Sequence, residues 1–364
     1  ASDWSSDVCS SDLIEMEISE RETEQKELAE KAYIVYASDD RFAEILGVSL
    51  VSLYDNNPEF QEIFVYILDS GISEENRRKL DSIAAQYGRA ALQYIKAVNI
   101  SEQLSMQVNL DRGSTSQYAR LFVSSVLSSD IHRVLYLDCD IIINQSIREL
   151  WCMDLQGNII GALGDAFSKQ YRKNIDLEPH DVMFNSGVML IDLDLWRRDN
   201  VEQKLLAFIK KKNGNIQQGD QGALNAILSR QTYCFEPRFN SVTIFYDFTY
   251  EEMLAYRKPV DFYSKEEVAK AIEDPVLIHF TTSFLSRRPW YDGCQHKYAG
   301  RWKTYKDKSP WKDAPNWAFQ EPSGAKGLYI RLTSKLPRKA VIWFSSLLQV
   351  YGRPFLYSLN RGKS

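Results

Sequence analysis

The sequence lacks a long hydrophobic run, and this absence argues against a membrane-spanning helix. A helix needs about 20 consecutive apolar residues to cross a bilayer. The longest candidate near the C-terminus covers residues 340–344 and ends at Ser345. A signal peptide is not expected either, because the first residues lack a charged segment followed by an apolar one. The chain is therefore predicted not to cross a membrane.

Cysteine is scarce, which argues against a disulfide framework. The five cysteines in 364 residues are odd in number, widely spaced and without a CxxC pair or a zinc-binding spacing. A dinucleotide-binding GxGxxG motif is also missing after the predicted strands. These absences favour a reducing, cytoplasmic location and no dinucleotide cofactor.

Positive charge is in deficit over most of the chain but concentrated at its end. The net charge of −5 argues against a nucleic-acid partner, since such proteins are usually basic. Residues 326–364 contain eight Lys or Arg and no Asp or Glu, so that subtracting this +8 from −5 leaves −13 for residues 1–325. An acidic body with a basic tail is typical of a soluble protein attached to an anionic surface.

The middle of the chain alternates between short apolar runs and helical periodicity. Strands are predicted at residues 32–36, 63–68, 134–137, 159–163, 187–191 and 276–280. This alternation predicts an α/β fold with a mostly parallel sheet flanked by helices. We divide the chain into a non-native-looking or flexible N-terminal segment (1–31), a main α/β domain (32–305), a linker (306–325) and a basic amphipathic tail (326–364).

Several predicted strands are followed directly by a titratable side chain. These side chains are Asp39, Asp40, Asp138, Asp140, Asp165 and His279. Ligands of open α/β sheets bind beyond the carboxyl ends of the strands, so these groups are expected to share one site. Each aspartate taken alone is equally compatible with an ordinary turn.

The pair Asp138 and Asp140 lies between two apolar runs, and this setting predicts a metal site. Two ionised carboxylates in apolar surroundings need a compensating cation. Oxygen ligands suit Mn²⁺ or Mg²⁺, and His279 is the expected third ligand. His296 is its competitor, while His132 and His180 are expected at the surface. A buried structural histidine remains the alternative for His279.

Six segments, in this order, resemble the retaining, metal-dependent glycosyltransferases of family 8. They are Tyr36-Ala37-Ser38-Asp39-Asp40, Tyr118-Ala119-Arg120-Leu121, Tyr136-Leu137-Asp138-Cys139-Asp140, Phe184-Asn185-Ser186-Gly187-Val188, Gly219-Asp220-Gln221 and His279-Phe280. The resemblance spans roughly residues 32–298. It implies a GT-A fold, a UDP-sugar donor and Mn²⁺ or Mg²⁺ as the metal.

The resemblance also assigns roles to individual residues. It implies metal ligands at Asp138, Asp140 and His279, and donor contacts at Ala37, Asp39, Phe42, Arg120, Asp138, Cys139, Asn185, Gly187 and Arg288. Asp220 and Gln221 would surround the transferred sugar, and Asp165 would meet its hydroxyls or the acceptor. The sequence departs from the family after His279. Thr282 occupies a position that is often glycine. Arg287 or Arg288 would have to replace the lysine that contacts the diphosphate.

The tail combines basic residues with large apolar ones, which is typical of segments that lie in a membrane interface. A helix packed on the core, or one that binds a partner, is the alternative. The predicted protein is a Mn²⁺-dependent retaining hexosyltransferase that moves galactose or glucose from UDP to a saccharide or lipid-linked saccharide during cell-surface polysaccharide synthesis. It would lie peripherally on the inner face of the cell membrane.

Two other functions stay open at this point. One is a haloacid-dehalogenase-like phosphatase that uses Asp138 and Asp140. The other is a non-catalytic protein that binds saccharides or membranes.

Overall fold

The computed structural model describes residues 30–108, 115–320, 323–324, 327–329 and 336–360. Most of the predicted N-terminal segment (1–29) and parts of the predicted linker and tail (321–322, 325–326, 330–335 and 361–364) lie outside the described residues. The strands are β1 Lys31–Ser38, β2 Glu62–Asp69, β3 Gln93–Lys96, β4 Arg133–Leu137, β5 Ile141–Ile143, β6 Ile160–Gly164, β7 Phe184–Asp192, β8 Thr232–Cys234, β9 Ser241–Val242 and β10 Leu277–His279.

The helices lie between these strands and at the end of the chain. They are α1 Ala43–Asp55, α2 Glu74–Gln86, α3 Ile100–Leu104, α4 Val123–Val126, α5 Arg148–Trp151, α6 Lys169–Arg172, α7 Leu193–Arg198, α8 Val201–Lys211, α9 Gly219–Leu228, α10 Ile244–Asp247, α11 Tyr250–Arg257, α12 Lys265–Glu273, α13 Ala299–Asp307, α14 Arg338–Leu347 and α15 Arg353–Asn360. A π-helical segment, Leu348–Gly352, joins the last two. Short 3-10 helices cover Asp40–Phe42, Thr115–Phe122, Lys173–Ile175, Ser229–Gln231 and Pro237–Asn240.

The central sheet has the strand order β3-β2-β1-β4-β7-β6-β8 among the described residues. Its neighbouring strands are parallel except that β7 runs antiparallel to both β4 and β6. Helices cover both faces, and the sheet's side chains divide between two apolar clusters, one on each face. The predicted α/β fold with a mostly parallel sheet is therefore confirmed.

A smaller sheet, with the order β5-β10-β9, lies beside the central one. Strand β10 runs antiparallel to β5, and His279 pairs with Ile141, the residue directly after Asp140. The amide of Phe280 donates to the carbonyl of Asp140 at 2.9 Å. This pairing is what carries a distant histidine to the two aspartates.

The predicted linker (306–325), which begins in the last turn of α13, packs against the core as far as it is described. Lys306 forms a buried ion pair with Glu44 of α1 at 2.7 Å. A Cβ on Gly47 would overlap the ring of Trp311, so α1 and this segment are in direct contact. The indole nitrogen of Trp317 donates to Glu44 at 3.3 Å. The composition of the predicted linker, rich in Pro, Trp and Lys, did not predict this packing.

The C-terminal helices pack with one face on the domain and leave the other exposed. Ser346 donates to the carbonyl of Ala255 in α11 at 2.8 Å, and Arg338 pairs with Glu252 at 2.8 Å. Trp343 and Phe355 on the outer face are 58% and 61% exposed. Within the described ranges, no helix has both the length and the apolar character that crossing a membrane requires.

Candidate active site

Strand pairing brings two aspartates and one histidine to the same point. Asp138 and Asp140 occupy the turn between β4 and β5, and His279 ends β10. Nε2 of His279 lies 3.2 Å from Oδ1 of Asp140 and 3.8 Å from Oδ2 of Asp138. One ligand atom from each residue lies within 4.8 Å of the others, and all three residues are buried. The predicted convergence of these side chains is confirmed.

Two asparagines fix the orientation of His279. The amide N–H of Gly187 donates to Oδ1 of Asn185, which identifies that atom as the oxygen. The amide group of Asn240 therefore donates to Asn185, and its own oxygen faces Nδ1 of His279 at 3.0 Å. Nδ1 must carry the proton, because an amide oxygen can only accept. In the neutral ring, the lone pair then lies on Nε2.

That lone pair directly faces carboxylate oxygens. Within the described part of the chain, Nε2 of His279 is buried and has no hydrogen-bond partner. A lone pair close to negative oxygens is unfavourable unless a positive charge lies among them. In octahedral coordination with bonds of about 2.1 Å, neighbouring ligand atoms lie about 3 Å apart, close to the 3.2 Å between His279 and Asp140. The donor set therefore fits a divalent metal ion.

A buried arginine, Arg120, contacts the metal-site residue Asp138 and a further aspartate, Asp220. Nη2 of Arg120 lies 2.8 Å from Asp138, and its Nε lies 3.1 Å from Asp220. Burial alone would lower the pKa of Arg120, but the carboxylates of Asp138 and Asp220 outweigh it and raise that pKa. The guanidinium also lies 4.5 Å from the centre of the Tyr136 ring. Arg120 is therefore a fixed positive charge between the two carboxylates.

A cavity of about 600 Å³ opens beside the metal ligands. We call it the metal-side cavity, and its walls include the predicted donor contacts Ala37, Asp39, Phe42, Arg120, Asp138, Cys139 and Arg288. Asp39 accepts from the amide of Phe42 at 3.3 Å and so starts the 3-10 helix that places the phenyl ring. The thiol of Cys139 donates to the carbonyl of Ala37 at 3.2 Å, and burial raises the pKa of Cys139. Cys139 is therefore a neutral part of the wall.

The two neighbouring arginines after β10 have different surroundings. Arg288 lines the metal-side cavity, donates to Oγ1 of Thr282 at 2.6 Å and lies 3.5 Å from Asp140. Arg287 instead donates to the carbonyl of Asp292 at 2.9 Å and stacks 4.2 Å from the centre of the Phe319 ring. Of the two, Arg288 is the one at the cavity.

Two aromatic residues of this cavity were not singled out from the sequence. Tyr291 and Trp317 form a β-bridge and both line the metal-side cavity. The ring of Trp317 meets that of Phe42 edge to face at 6.2 Å. The cluster of tryptophans after residue 301 is visible in the sequence, but which cavity they line depends on the folding of the presumed linker onto α1.

A second cavity, of about 420 Å³, adjoins the first. We call it the tail-side cavity. It contains four further predicted site residues, Asp165, Asn185, Asp220 and Gln221, and it shares Gln117, Arg120 and Thr282 with the metal-side cavity. The predicted donor contact Gly187 is not among the residues that line either cavity. Gln349 and Arg353 of the C-terminal segment complete its wall. A tail helix packed on the core was one of the alternatives considered from the sequence, but Gln349 and Arg353 were not singled out as site residues.

The start of α9 positions two of these residues. Gln218 adopts the left-handed backbone conformation (φ 69°), and Asp220 and Gln221 lie in the first turn of the helix. Oε1 of Gln221 accepts from the amide of Ser186 at 3.2 Å. The side chain of Gln221 is thereby fixed to β7, next to Asn185.

Gly187 has a spatial role at the centre of the site. A Cβ at this position would overlap Cε1 of His279 and lie 3.0 Å from Oδ2 of Asp138. The carbonyl of Gly187 also accepts from the amide of Asp138 at 2.8 Å. Only a glycine leaves room here for the imidazole.

The competing histidines lie elsewhere. His296 packs edge to face against Tyr246 and Phe280 at ring distances of 4.6 and 4.9 Å, and burial lowers its pKa to about 4. His132 and His180 are exposed, as predicted, and pair with Asp194 and Asp261. Among the four histidines, it is His279 that lies with the two aspartates.

Comparison with known proteins gives consistent matches. Residues 33–294 match the family described as Glycosyl transferase family 8. General stress protein A of Bacillus subtilis (strain 168) is 27% identical over 293 residues, which cover 79% of this chain and 98% of that protein. Lipopolysaccharide 1,2-glucosyltransferase of Escherichia coli (strain K12) is 25% identical, covering 77% of this chain and 79% of that protein.

A similar solved structure is that of the galactosyltransferase LgtC in complex with donor and acceptor sugar analogues. Its TM-score is 0.65 at 27% identity, and the match covers 76% of this chain and 96% of that one.

Proposed function

The chain belongs to glycosyl transferase family 8 and has the GT-A fold of its structural neighbours, and on this premise we propose that it transfers galactose or glucose from a UDP-sugar to a saccharide with the help of Mn²⁺. The observation that carries the proposal is the buried group of Asp138, Asp140 and His279 beside the metal-side cavity. Family membership makes the chain a glycosyltransferase, and this overturns both the phosphatase and the non-catalytic alternative.

The metal-side cavity is suited to a nucleotide diphosphate. Phe42 and Trp317 offer ring surfaces for a planar base, and Asp39 offers a hydrogen-bond acceptor. Arg288 lies where a guanidinium can donate to phosphate oxygens. Asp138, Asp140 and His279 would hold the divalent ion, whose charge would stabilise the diphosphate as it leaves.

The transferred sugar and the acceptor saccharide would meet at the tail-side cavity. Asn185 and Gln221 are amides that suit sugar hydroxyls, and Asp165 lies on the same wall. Asp220 is paired with Arg120. This pairing makes its carboxylate a poorer nucleophile, and the amide of Gln221 is poorer still, so retention by same-face attack is favoured over a covalent intermediate.

The test is release of UDP from UDP-galactose, UDP-glucose and their N-acetyl forms, with Mn²⁺ and with a chelator. We expect turnover of at least one hexose donor that stops when the metal is removed. Asp140→Asn should reduce turnover by about 100- to 1,000-fold, the usual effect of losing one electrostatic contact to a developing charge. Asp313→Asn, an exposed aspartate outside both cavities, is the matched control. Equal turnover of Asp140→Asn and the control would contradict the proposal.

We further propose that the tail holds the enzyme on an anionic membrane surface, facing the cytoplasm, where a lipid-linked acceptor would be available. The support is the exposed face of Trp343, Phe344, Phe355 and Leu356, together with the basic residues of 326–364. Basic amphipathic helices bind interfaces through buried apolar area and attraction to anionic lipids.

Sedimentation with vesicles tests this placement. The chain should sediment with phosphatidylglycerol vesicles at low salt, and the double variant Trp343→Ser, Phe355→Ser should stay in the supernatant. Leu285→Ser removes an exposed apolar side chain outside the tail and should sediment like the unchanged protein. Sedimentation of the double variant with the vesicles would exclude this role of the tail.

A further inference from the structure

Two arginines line the tail-side cavity without a carboxylate partner among the residues that the structure describes. Arg257 ends α11, and Arg353 begins α15 in the tail. Nε of Arg257 is buried and lacks a hydrogen-bond partner within the same described ranges. Two other arginines of the site do have carboxylate neighbours: Arg120 pairs with two carboxylates, and Arg288 lies 3.5 Å from Asp140. Arg257 and Arg353 are thus positive charges that no acidic side chain of the described chain offsets.

The Arg257 guanidinium is held against aromatic rings, and the backbone beside Arg353 is fixed. The Arg257 guanidinium lies 5.2 Å from the centre of the Tyr256 ring and 5.9 Å from that of Phe167. The backbone beside Arg353 is fixed by Asn174, a buried residue whose amide donates to the carbonyl of Pro354 at 3.0 Å. Burial raises the pKa of Tyr171, and the positive charges of both arginines oppose this rise. Both cations therefore line one cavity, where a bound anion would meet them together.

The tail-side cavity therefore has two chemically different regions. One contains Asp165, Asn185 and Gln221, which suit neutral sugar hydroxyls. The other contains Arg257 and Arg353. The Arg257 guanidinium is half-buried on aromatic rings and has lost part of its hydration, so a charged acceptor of hydrogen bonds binds it more strongly than a hydroxyl does. Arg353 is exposed and adds a second positive charge to the same cavity.

We infer that the acceptor carries an anionic group, a phosphate or a carboxylate, close to the saccharide that receives the hexose, and that Arg257 and Arg353 bind this group. The inference rests on the proposed function, which places the acceptor in this cavity. It gives the tail a second role, because the segment with the exposed apolar face also supplies a residue that determines acceptor specificity.

Calorimetric titration of three soluble probes tests the inference: glucose 1-phosphate, the methyl glycoside of glucuronic acid, and neutral methyl glucoside. The protein is first saturated with UDP and Mn²⁺, so that the probes cannot occupy the metal-side cavity. We expect at least one anionic probe to bind about tenfold or more tightly than the neutral one, as expected for hydrogen bonds between charged groups. A preference below about threefold would overturn the inference.

Three variants connect this preference to the residues. Arg257→Gln and Arg353→Gln should each remove most of it, and the exposed position of Arg353 keeps the test valid if Arg257→Gln fails to fold. Lys204→Gln removes an exposed charge of α8 that does not line the cavity and should leave the preference unchanged. A preference that survives in both arginine variants would refute the assignment.

Two further measurements separate the possible sources of a negative result. Binding of UDP with Mn²⁺ tests the proposed function alone. If UDP does not bind, the probes are titrated in the presence of chelator. A preference for anionic probes that depends on the two arginines would still support the anion site. The absence of such a preference would refute the anion site. Arg257→Gln should also sediment with phosphatidylglycerol vesicles as the unchanged protein does. Loss of vesicle binding with an intact preference for anionic probes would show that the arginine serves lipid headgroups instead.

Discussion

The space for the imidazole of His279 depends on the glycine at position 187, and Gly187→Ala tests that dependence. A Cβ at this position would overlap Cε1 of His279 and lie 2.9 Å from Nδ1 and 3.0 Å from Oδ2 of Asp138. Non-bonded carbon atoms pack at about 3.5–4.0 Å. The imidazole must therefore shift by about 1 Å, unless β7 moves and disturbs the hydrogen bond from Asp138 to the carbonyl of residue 187.

A displacement of this size exceeds what metal coordination tolerates. Ligand distances in a metal site are fixed to within about 0.2 Å. A shift of about 1 Å thus removes the imidazole from coordination. Disturbing even the supports of a ligand typically weakens metal binding by about 10- to 100-fold, so for Gly187→Ala we expect a loss of about 100-fold, equivalent to about 2.7 kcal/mol. Overpacking should also destabilise the fold by about 1–3 kcal/mol.

The assay is electron paramagnetic resonance of free Mn²⁺ during a titration, performed well below the unfolding temperature of each variant. Gly300→Ala is the matched control, because a Cβ at this position in α13 meets open space. It should keep the original Mn²⁺ affinity and gain a few tenths of a kcal/mol, up to about 1, from helix propensity. Unchanged Mn²⁺ affinity in Gly187→Ala would refute the reasoning, since the imidazole could then not be a ligand in this geometry.

Three other substitutions test single contacts of the site and the core. Asn240→Ala removes the acceptor that fixes the His279 tautomer and should weaken Mn²⁺ binding by about 10- to 100-fold in the same titration. Arg120→Met leaves two buried carboxylates without their cation, and urea unfolding of the metal-free protein should show a loss of about 3–5 kcal/mol. The pKa of His296 is about 4 in the folded chain, against about 6.5 when unfolded. The unfolded state therefore binds the proton first as the pH falls, and stability should drop by up to about 3 kcal/mol between pH 6.5 and 4. In His296→Phe this pH-dependent loss of stability should be absent when unfolding is measured between pH 6.5 and 4. A pH profile identical to that of the unchanged protein would contradict the assignment to His296.

The strands that the sequence predicted are those with continuous apolar runs. Strands β1, β2, β4, β6, β7 and β10 lie where they were expected. Strands β3, β8 and β9 were not predicted and are only two to four residues long. Strand β5 was noted as an apolar run after Asp140 but, at three residues, was not predicted to be a strand. Such short segments show no period of their own, and they become strands because a neighbouring strand offers hydrogen-bond partners.

The predicted site residues were those whose chemistry is visible locally. Asp138, Asp140 and His279 could be named because a carboxylate or imidazole directly follows an apolar run. Asn240 and Trp317 could not be named, because nothing in their immediate sequence distinguishes them from ordinary polar or aromatic residues. Their importance comes from contacts with segments that are distant along the chain.

The amino-acid sequence by itself determined the α/β alternation, the kinds of side chain at the strand ends and the family to which the ordered motifs point. These properties are local, since side-chain chemistry and strand period are set within a few residues. The tertiary structure decided which groups meet. The pairing of β10 with β5 sets the distance from His279 to Asp140, and the folding of the tail onto α11 places Arg353 in the tail-side cavity. Such distances depend on strand register and on packing between remote segments, which no short stretch of sequence encodes.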